Sequence, residues 1–272
     1  MMPANPEAPP VVATRVAATD QTTRTLVMLH GIYGRGRNWQ SIARAVVAAR
    51  PEYACWLVDL PHHGDSGPGR HGDTVIGLAA DVEDWLHAAS IVPDAVLGHS
   101  YGGKVALAMA ARSSRPLQVW VIDSTPEVKT PSGSAWTMLR IIRGLPSRFG
   151  SRDEAVSAIV AGGYPLGVAQ WMSTNLSREG DGFVWRLDFD AMERLLHDFF
   201  ATELWSVIEQ AGAPHDVHVL KASESSAISP EAVVRLESAA GPSMHLHHRP
   251  GGHWIHAESP DIVTELLVAH LP

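Results

Sequence analysis

The sequence predicts an α/β fold with a doubly wound, mostly parallel sheet, and two of its features lead there. Short apolar runs alternate with longer stretches of helical period over most of the chain. The apolar runs are also near-continuous, without the in–out alternation of a half-solvated strand, as suits a parallel sheet covered on both faces. At 272 residues the chain is long enough for one large domain with a substantial core, or for two small ones.

Taken in order, residues 1 to about 10 are rich in Pro and Ala and are expected to be loose. Thr25–Leu29 and Ala54–Leu60 read as buried strands. So do Ala95–Leu97, Gln118–Ile122, Val217–Leu220 and Met244–His248. Between the first two, Trp39, Ile42, Ala43, Val46 and Val47 recur at helical spacing, with Asn38 as the expected N-cap. Val75, Leu78, Ala79, Val82, Trp85 and Leu86 form a second stripe. Ile262, Val263, Leu266, Leu267 and Leu271 form a last one, introduced by Ser259 as cap and Pro260 in the first turn.

From Pro126 to Ala213 the rhythm breaks. This stretch has helical patches, no clear strand, and four of the nine tryptophans, Trp136, Trp171, Trp185 and Trp205. The sequence therefore divides into a core formed by 1–125 and 214–272, and a helical cap insertion at 126–213 lying over one edge of the sheet. Such a cap would wall a substrate site with aromatic surface, although tryptophans that merely pack cap against sheet would leave the same pattern.

Composition closes several routes. Lys plus Arg less Asp plus Glu is 21 − 29 = −8, spread without long runs, so nucleic acid is not an expected partner. The lone cysteine, Cys55, rules out a disulfide within the chain and reads as a small buried hydrophobe. The start, MMPANPEAPP, has neither a basic nor an apolar signal region, and no stretch is apolar enough to span a bilayer. A cytoplasmic protein is expected.

The chemistry centres on Gly98-His99-Ser100-Tyr101-Gly102-Gly103, which follows one predicted strand and opens a helix. A serine there sits on a tight turn whose neighbours must be tiny, and it points at a helix N-terminus that favours developing negative charge. Ser100 is the candidate nucleophile. The second element is His30-Gly31, directly after strand TLVML: the backbone N–H groups of Ile32 and Tyr101 are the candidate oxyanion hole. His30 reads as a structural hydrogen-bonder, and His30, Gly31, His99 and Trp254 are expected to border the substrate pocket. Gly31, Gly34 and Gly36 follow a G-x-x-G-x-G spacing, which does not match a dinucleotide loop, so no cofactor is expected.

Fifteen histidines compete for the role of base. His253, in PGGHW, lies between the last strand and the final helix, where a glycine-rich loop can carry it back over the strand ends; His256 is the runner-up. The clusters His62-His63 and His245, His247, His248 raise a metal reading. Alternation sends His245 and His247 to the opposite face from His248, and no nearby carboxylate or cysteine completes a ligand set, so no metal is expected. The acid usually follows the penultimate strand. Here that segment, residues 221–229, offers only Glu224, whereas strand QVWVI ends in Asp123. Asp123 is favoured, with Glu224 as the alternative.

The segments HG (30–31), DLPHHGDS (59–66), GHSYGGK (98–104), IDSTP (122–126), VWRLDFDAM (184–192) and GGHWIHAESP (251–260) together resemble α/β-hydrolase serine esterases. In particular the chain is similar to the small bacterial acyl-esterase branch related to mitochondrial abhydrolase-domain proteins, over nearly its whole length after about residue 22. The resemblance implies an acid after the strand following the nucleophile, matching Asp123. The branch often has Met after the nucleophile, where this chain has Tyr101, and the usual glycines after VHVLK are missing. Both departures bear on the substrate.

The resulting expectation is a serine hydrolase cleaving carboxylic esters or thioesters, with a small-molecule acyl compound as its partner. Perhydrolase or carbon–carbon bond hydrolase chemistry would use the same triad. A rival from another class is a non-catalytic ligand receptor on the same fold.

Overall fold

The computed structural model describes residues 8–209 and 214–272. The first part of the chain forms β1 (Val12–Ala17), β2 (Arg24–Leu29), α1 (Gln40–Ala49), β3 (Tyr53–Asp59), α2 (Val75–Ala88), β4 (Ala95–His99), α3 (Tyr101–Arg112) and β5 (Gln118–Ile122). Next come α4 (Gly133–Gly144), β6 (Arg148–Phe149), α5 (Arg152–Ala161), α6 (Leu166–Ser173), β7 (Leu176–Glu179), β8 (Gly182–Trp185), α7 (Phe189–Ala201) and α8 (Trp205–Glu209). The chain ends with β9 (Asp216–Ala222), α9 (Pro230–Ala239), β10 (Met244–Arg249), α10 (Ile255–Glu258) and α11 (Pro260–His270).

Seven strands form one sheet in the order β1-β3-β2-β4-β5-β9-β10. Every pairing is parallel except that of β1 with β3. Parallel strands need helical crossovers, and the helices cover both faces. Alternate residues of β2 show this division: Leu26 and Met28 join a core with α1 and α11, while Val27 and Leu29 join another with α2 and α3. The six expected strands are all present, and the doubly wound sheet is as predicted.

Three details depart from the sequence reading. Strand β1 was not foreseen; it is half-exposed at the sheet edge, so it lacks the apolar run that marked the others. The loose N-terminal stretch is anchored within its described part, since Pro9 O accepts from Gly67 N at 2.8 Å. The rest of that stretch, residues 1–7, lies outside the described residues. Asn38 does not cap α1. It sits in a preceding 3₁₀ turn, Gly36–Trp39, and its Oδ1 accepts from Arg35 N at 2.7 Å. Ser259 does hold the N-cap position of α11, but its side chain makes no capping bond.

The excursion between β5 and β9 is mostly helical, yet it also contains a three-stranded sheet, β6-β8-β7. The expectation of no strand there fails because these strands have two to four residues, too short to register as a period. The boundary drawn at 213 lies outside the described residues. Several buried polar bonds seat this region on the sheet. Lys104 Nζ donates to the carbonyls of Glu127, Phe199 and Thr202 at 2.9, 2.6 and 2.9 Å. Tyr33 Oη donates to Ala135 O at 2.9 Å, and Asn175 Nδ2 to Tyr33 O at 2.8 Å. Among the described residues, no helix is long and apolar enough to cross a membrane.

Candidate active site

Strand β4 ends at His99, and the chain turns through Ser100 straight into α3. Ser100 has φ 50° and ψ −114°, a conformation that costs a non-glycine residue about 1–3 kcal/mol. The turn closes because its neighbours lack side chains. A Cβ on Gly98 would lie 2.0 Å from Gly102 O, and one on Gly102 would lie 2.5 Å from His30 O. Either would drive the turn apart.

His253 hangs from the loop between β10 and α10. Its Nε2 is 3.1 Å from Ser100 Oγ, and its Nδ1 is 2.7 Å from Asp123 Oδ2. Asp123 follows β5, is wholly buried, and itself has a positive φ of 47°. Its carboxylate is held by more than the imidazole: Ala222 N donates to Oδ1 at 3.1 Å, and the Ser225 hydroxyl donates to Oδ2. Lys221 Nζ in turn donates to Ser225 O at 2.7 Å. Two strained residues, one on each of two adjacent strand ends, thus aim a hydroxyl and a carboxylate at opposite nitrogens of one ring.

Glu224 is exposed; its backbone N–H donates to Gly251 O at 3.0 Å, and among the described residues its carboxylate makes no hydrogen bond. Of the two candidate acids, Asp123 is the one in contact with His253. His256 does not reach Ser100: it is buried, with its ring centroid 4.1 Å from that of His99 and 5.0 Å from that of Trp39. Burial pushes its pKa down to about 3.

The remaining candidates frame this line. Ile32 and Tyr101 both lie beside Ser100, and among the described residues neither backbone N–H has an acceptor. His30 Nε2 accepts from Leu60 N at 3.0 Å, which fixes the tautomer, so its Nδ1–H donates to Gly31 O at 2.7 Å. Burial holds its pKa at about 4. His63 has the same arrangement: Nε2 accepts from Tyr33 N at 3.2 Å and Nδ1 donates to Pro61 O at 2.8 Å. The two imidazoles brace the loop that carries Ile32. His99 Nε2 donates to His253 O at 2.7 Å, tying the loop of His253 to the end of β4.

Two openings meet at Ser100. A slot of about 30 Å³ is lined by His30, Gly31, His99, Trp171 and Trp254 among others. A cavity of about 430 Å³ lies on the other side, lined by Leu196, Phe199, Phe200, Lys129 and Trp254 among others. Of the four tryptophans in the excursion, only Trp171 borders either opening; Trp185 and Trp205 are core residues. The sequence reading of residues 221–229 turns on their single carboxylate, Glu224, and does not include Ser225. A hydroxyl brought under Asp123 by the fold carries no local signal. Cys55 is buried as expected, which pushes its thiol up to about 12.

A serine on a strand-to-helix elbow, below the C-terminal ends of a seven-stranded, mostly parallel sheet, defines the class as an α/β-hydrolase-fold protein. The chain belongs to the alpha/beta hydrolase family, whose profile matches residues 26–266. It is 27% identical over 268 residues to the sn-1-specific diacylglycerol lipase ABHD11 of Mus musculus, covering 91% of this chain and 82% of that protein. To the protein of the same name from Xenopus laevis it is 30% identical over 245 residues, covering 86% of this chain and 75% of the relative. Among solved structures, a marine microorganism esterase superposes with a TM-score of 0.81 at 20% identity, covering 95% of this chain and 98% of that one. The family and these relatives together make the protein an ester hydrolase.

One expectation fails at the far end of the sheet. No carboxylate lies near His245 and His247 along the chain, but β9 brings Asp216 alongside: His245 Nε2 lies 3.1 Å from Asp216 Oδ1. Strand pairing supplied the carboxylate that sequence proximity did not.

Proposed function

We propose that the protein is a serine hydrolase that cleaves carboxylic esters or thioesters through an acyl-enzyme intermediate. One observation carries this reading: the hydrogen-bonded line Asp123–His253–Ser100, ending beside the N–H groups of Ile32 and Tyr101. In the proposed cycle, Ser100 Oγ attacks the acyl carbonyl while His253 Nε2 takes its proton. Asp123 Oδ2 fixes the ring tautomer and stabilises the imidazolium. The carbonyl oxygen becomes an anion against the Ile32 and Tyr101 amides, worth roughly 3 kcal/mol per donor. Collapse of the tetrahedral species expels an alkoxide or thiolate, which receives the proton from His253 Nε2. Water then enters, gives a proton to His253 and adds to the acyl carbon. The second collapse returns the proton to Ser100 Oγ and frees the acid.

The relatives named as diacylglycerol lipases support an oxygen ester with an aliphatic acyl group as the substrate class. The cavity of about 430 Å³ bordered by Leu196, Phe199 and Phe200 suits such a chain, with the 126–213 region acting as its wall. A fluorophosphonate probe followed by peptide mapping tests the nucleophile, and p-nitrophenyl esters from acetate to decanoate test the acyl site. A covalent adduct on Ser100 with ester turnover is expected. Folded protein that takes up no probe at Ser100 would sink the reading in favour of a ligand receptor.

A further inference from the structure

A second histidine–carboxylate cluster sits at the opposite end of β9. Asp216 opens that strand and His218 follows two residues on, so both face the same side. Strand β10 lies parallel beside it, with His245 opposite His218, and His247 next on the same face. From the other neighbour, β5, Gln118 pairs with Asp216 and Trp120 with His218. The Trp120 and His218 rings stack at 4.1 Å.

Asp216 Oδ2 is 3.2 Å from His218 Nε2, and Oδ1 is 3.1 Å from His245 Nε2. One ligand atom from each of the three residues falls within 4.8 Å of the others. Nitrogen and oxygen donors about 2.0–2.1 Å from a tetrahedral Zn²⁺ lie roughly 3.3 Å from one another; each ring nitrogen is at that spacing from a different oxygen of Asp216, so the side chains must draw in slightly for all three to reach one ion. Moreover, among the described residues the Asp216 Oδ1 atom is covered and has no hydrogen-bond donor, despite the nearby ring nitrogen of His245 and the open side of the carboxylate. Leaving a carboxylate oxygen in that condition is costly, and a cation would relieve it.

The surroundings suit a ligand set. Gln118 Oε1 accepts from Trp120 Nε1 at 2.7 Å, which orients the amide so that Nε2 donates to Asp216 Oδ2 at 2.8 Å. The same nitrogen donates to His270 O at 2.9 Å. His218 Nδ1 lies 3.0 Å from His247 Nε2. In this structure His218 Nε2–H donates to Asp216 Oδ2 at 3.2 Å and Nδ1 accepts from His247 Nε2; a metal would take the Nε2 lone pair, with the proton moved to Nδ1 and donated to the other tautomer of His247. This is how metal-binding imidazoles are oriented by their outer partners. Two imidazoles and a carboxylate are the donors zinc takes. His218 is buried, while Asp216 and His245 are half-exposed, so an ion has a path from solvent.

We propose that Asp216, His218 and His245 bind one Zn²⁺, with the fourth position open to water. The ion clamps the last two strands of the sheet and takes no part in ester cleavage. Ala222, whose N–H holds Asp123, is the last residue of β9, about 20 Å from Asp216 at ~3.3 Å per residue.

The test uses untagged, chelator-stripped full-length protein titrated with Zn²⁺ against a chromophoric chelator, with thermal melts in parallel. The wild type is expected to bind one equivalent and to melt higher with zinc, by mass action. His245→Ala lies on the edge strand and should still fold; it and Asp216→Asn are expected to lose affinity at least about 10-fold and to lose most of the thermal shift. His248→Ala, whose exposed ring faces Glu237, should bind as the wild type does. Wild-type protein that takes up no zinc, or His245→Ala protein that binds as tightly as wild type, would overturn the proposal.

Discussion

Each end of β9 meets a histidine and an aspartate, and the two pairs are built in opposite ways. At the Ala222 end the carboxylate is sealed: the Asp123 side chain has no exposure and takes bonds from His253, Ser225 and Ala222 N. Its imidazole is the open partner, with the His253 side chain 21% exposed and Nε2 turned to a hydroxyl and a cavity. At the Asp216 end the imidazole is sealed, the His218 side chain being 3% exposed, and the carboxylate is open at 43%. A buried anion holding an accessible ring suits proton transfer, because the ring can gain charge next to its counter-ion while facing a reactant. A buried ring beside an accessible carboxylate suits holding, because burial keeps the imidazole neutral: the His218 pKa is pushed down to about 4.

Substitutions can break this contrast. The largest effect is expected at the Ala222 end. Asp123→Asn should lower kcat on a p-nitrophenyl ester on the order of 10⁴-fold, while Glu224→Gln changes it little. The reverse ranking would return the acid to Glu224.

Acidification comes next, and it bears on sealed rings at both ends. His30 is about 4 when folded and near 6.5 when free, so between these values the unfolded chain binds more protons. Stability therefore falls as pH drops from about 6.5 towards 4, by roughly 3 kcal/mol from this residue alone at ~1.4 kcal/mol per unit. Urea unfolding at pH 7 and pH 4.5 checks it; equal midpoints would show that these rings are not held neutral.

At the Asp216 end, Gln118→Leu removes bonds to Trp120, Asp216 and His270 O. We expect a loss of about 2 kcal/mol in unfolding free energy, with kcat within roughly twofold of wild type. A large drop in kcat without loss of stability would show that the two ends are coupled. The smallest effect is at Ser225, which supports Asp123 from below. Ser225→Ala should cost about 1.5 kcal/mol of barrier, or roughly 10-fold in kcat, with KM little changed. No change at all would mean that the other donors suffice.

The amino-acid sequence by itself determined much of the framework. The buried runs gave all the central parallel strands because a strand covered on both faces must be apolar throughout. The elbow was legible because Gly98 and Gly102 are needed wherever a backbone passes that close. His253 could be singled out because a glycine-bearing loop between the last strand and last helix must return over the strand ends. Asp123 was favoured on the same basis, its place at a strand terminus.

What the tertiary structure alone decided depends on neighbours distant in sequence. That the loop after β9 sets Ser225, not Glu224, against Asp123 is visible only in the assembled structure. The edge strand β1 and the short strands β6, β7 and β8 are defined by their partners' hydrogen bonds and not by apolar content. Asp216 joined the histidines of β10 through lateral pairing of strands whose contacting residues, such as His218 and His247, stand 29 positions apart in the chain. Local pattern fixes which residues a strand buries, but only the assembled sheet sets which strands lie side by side. The second site on β9 follows from that sheet order.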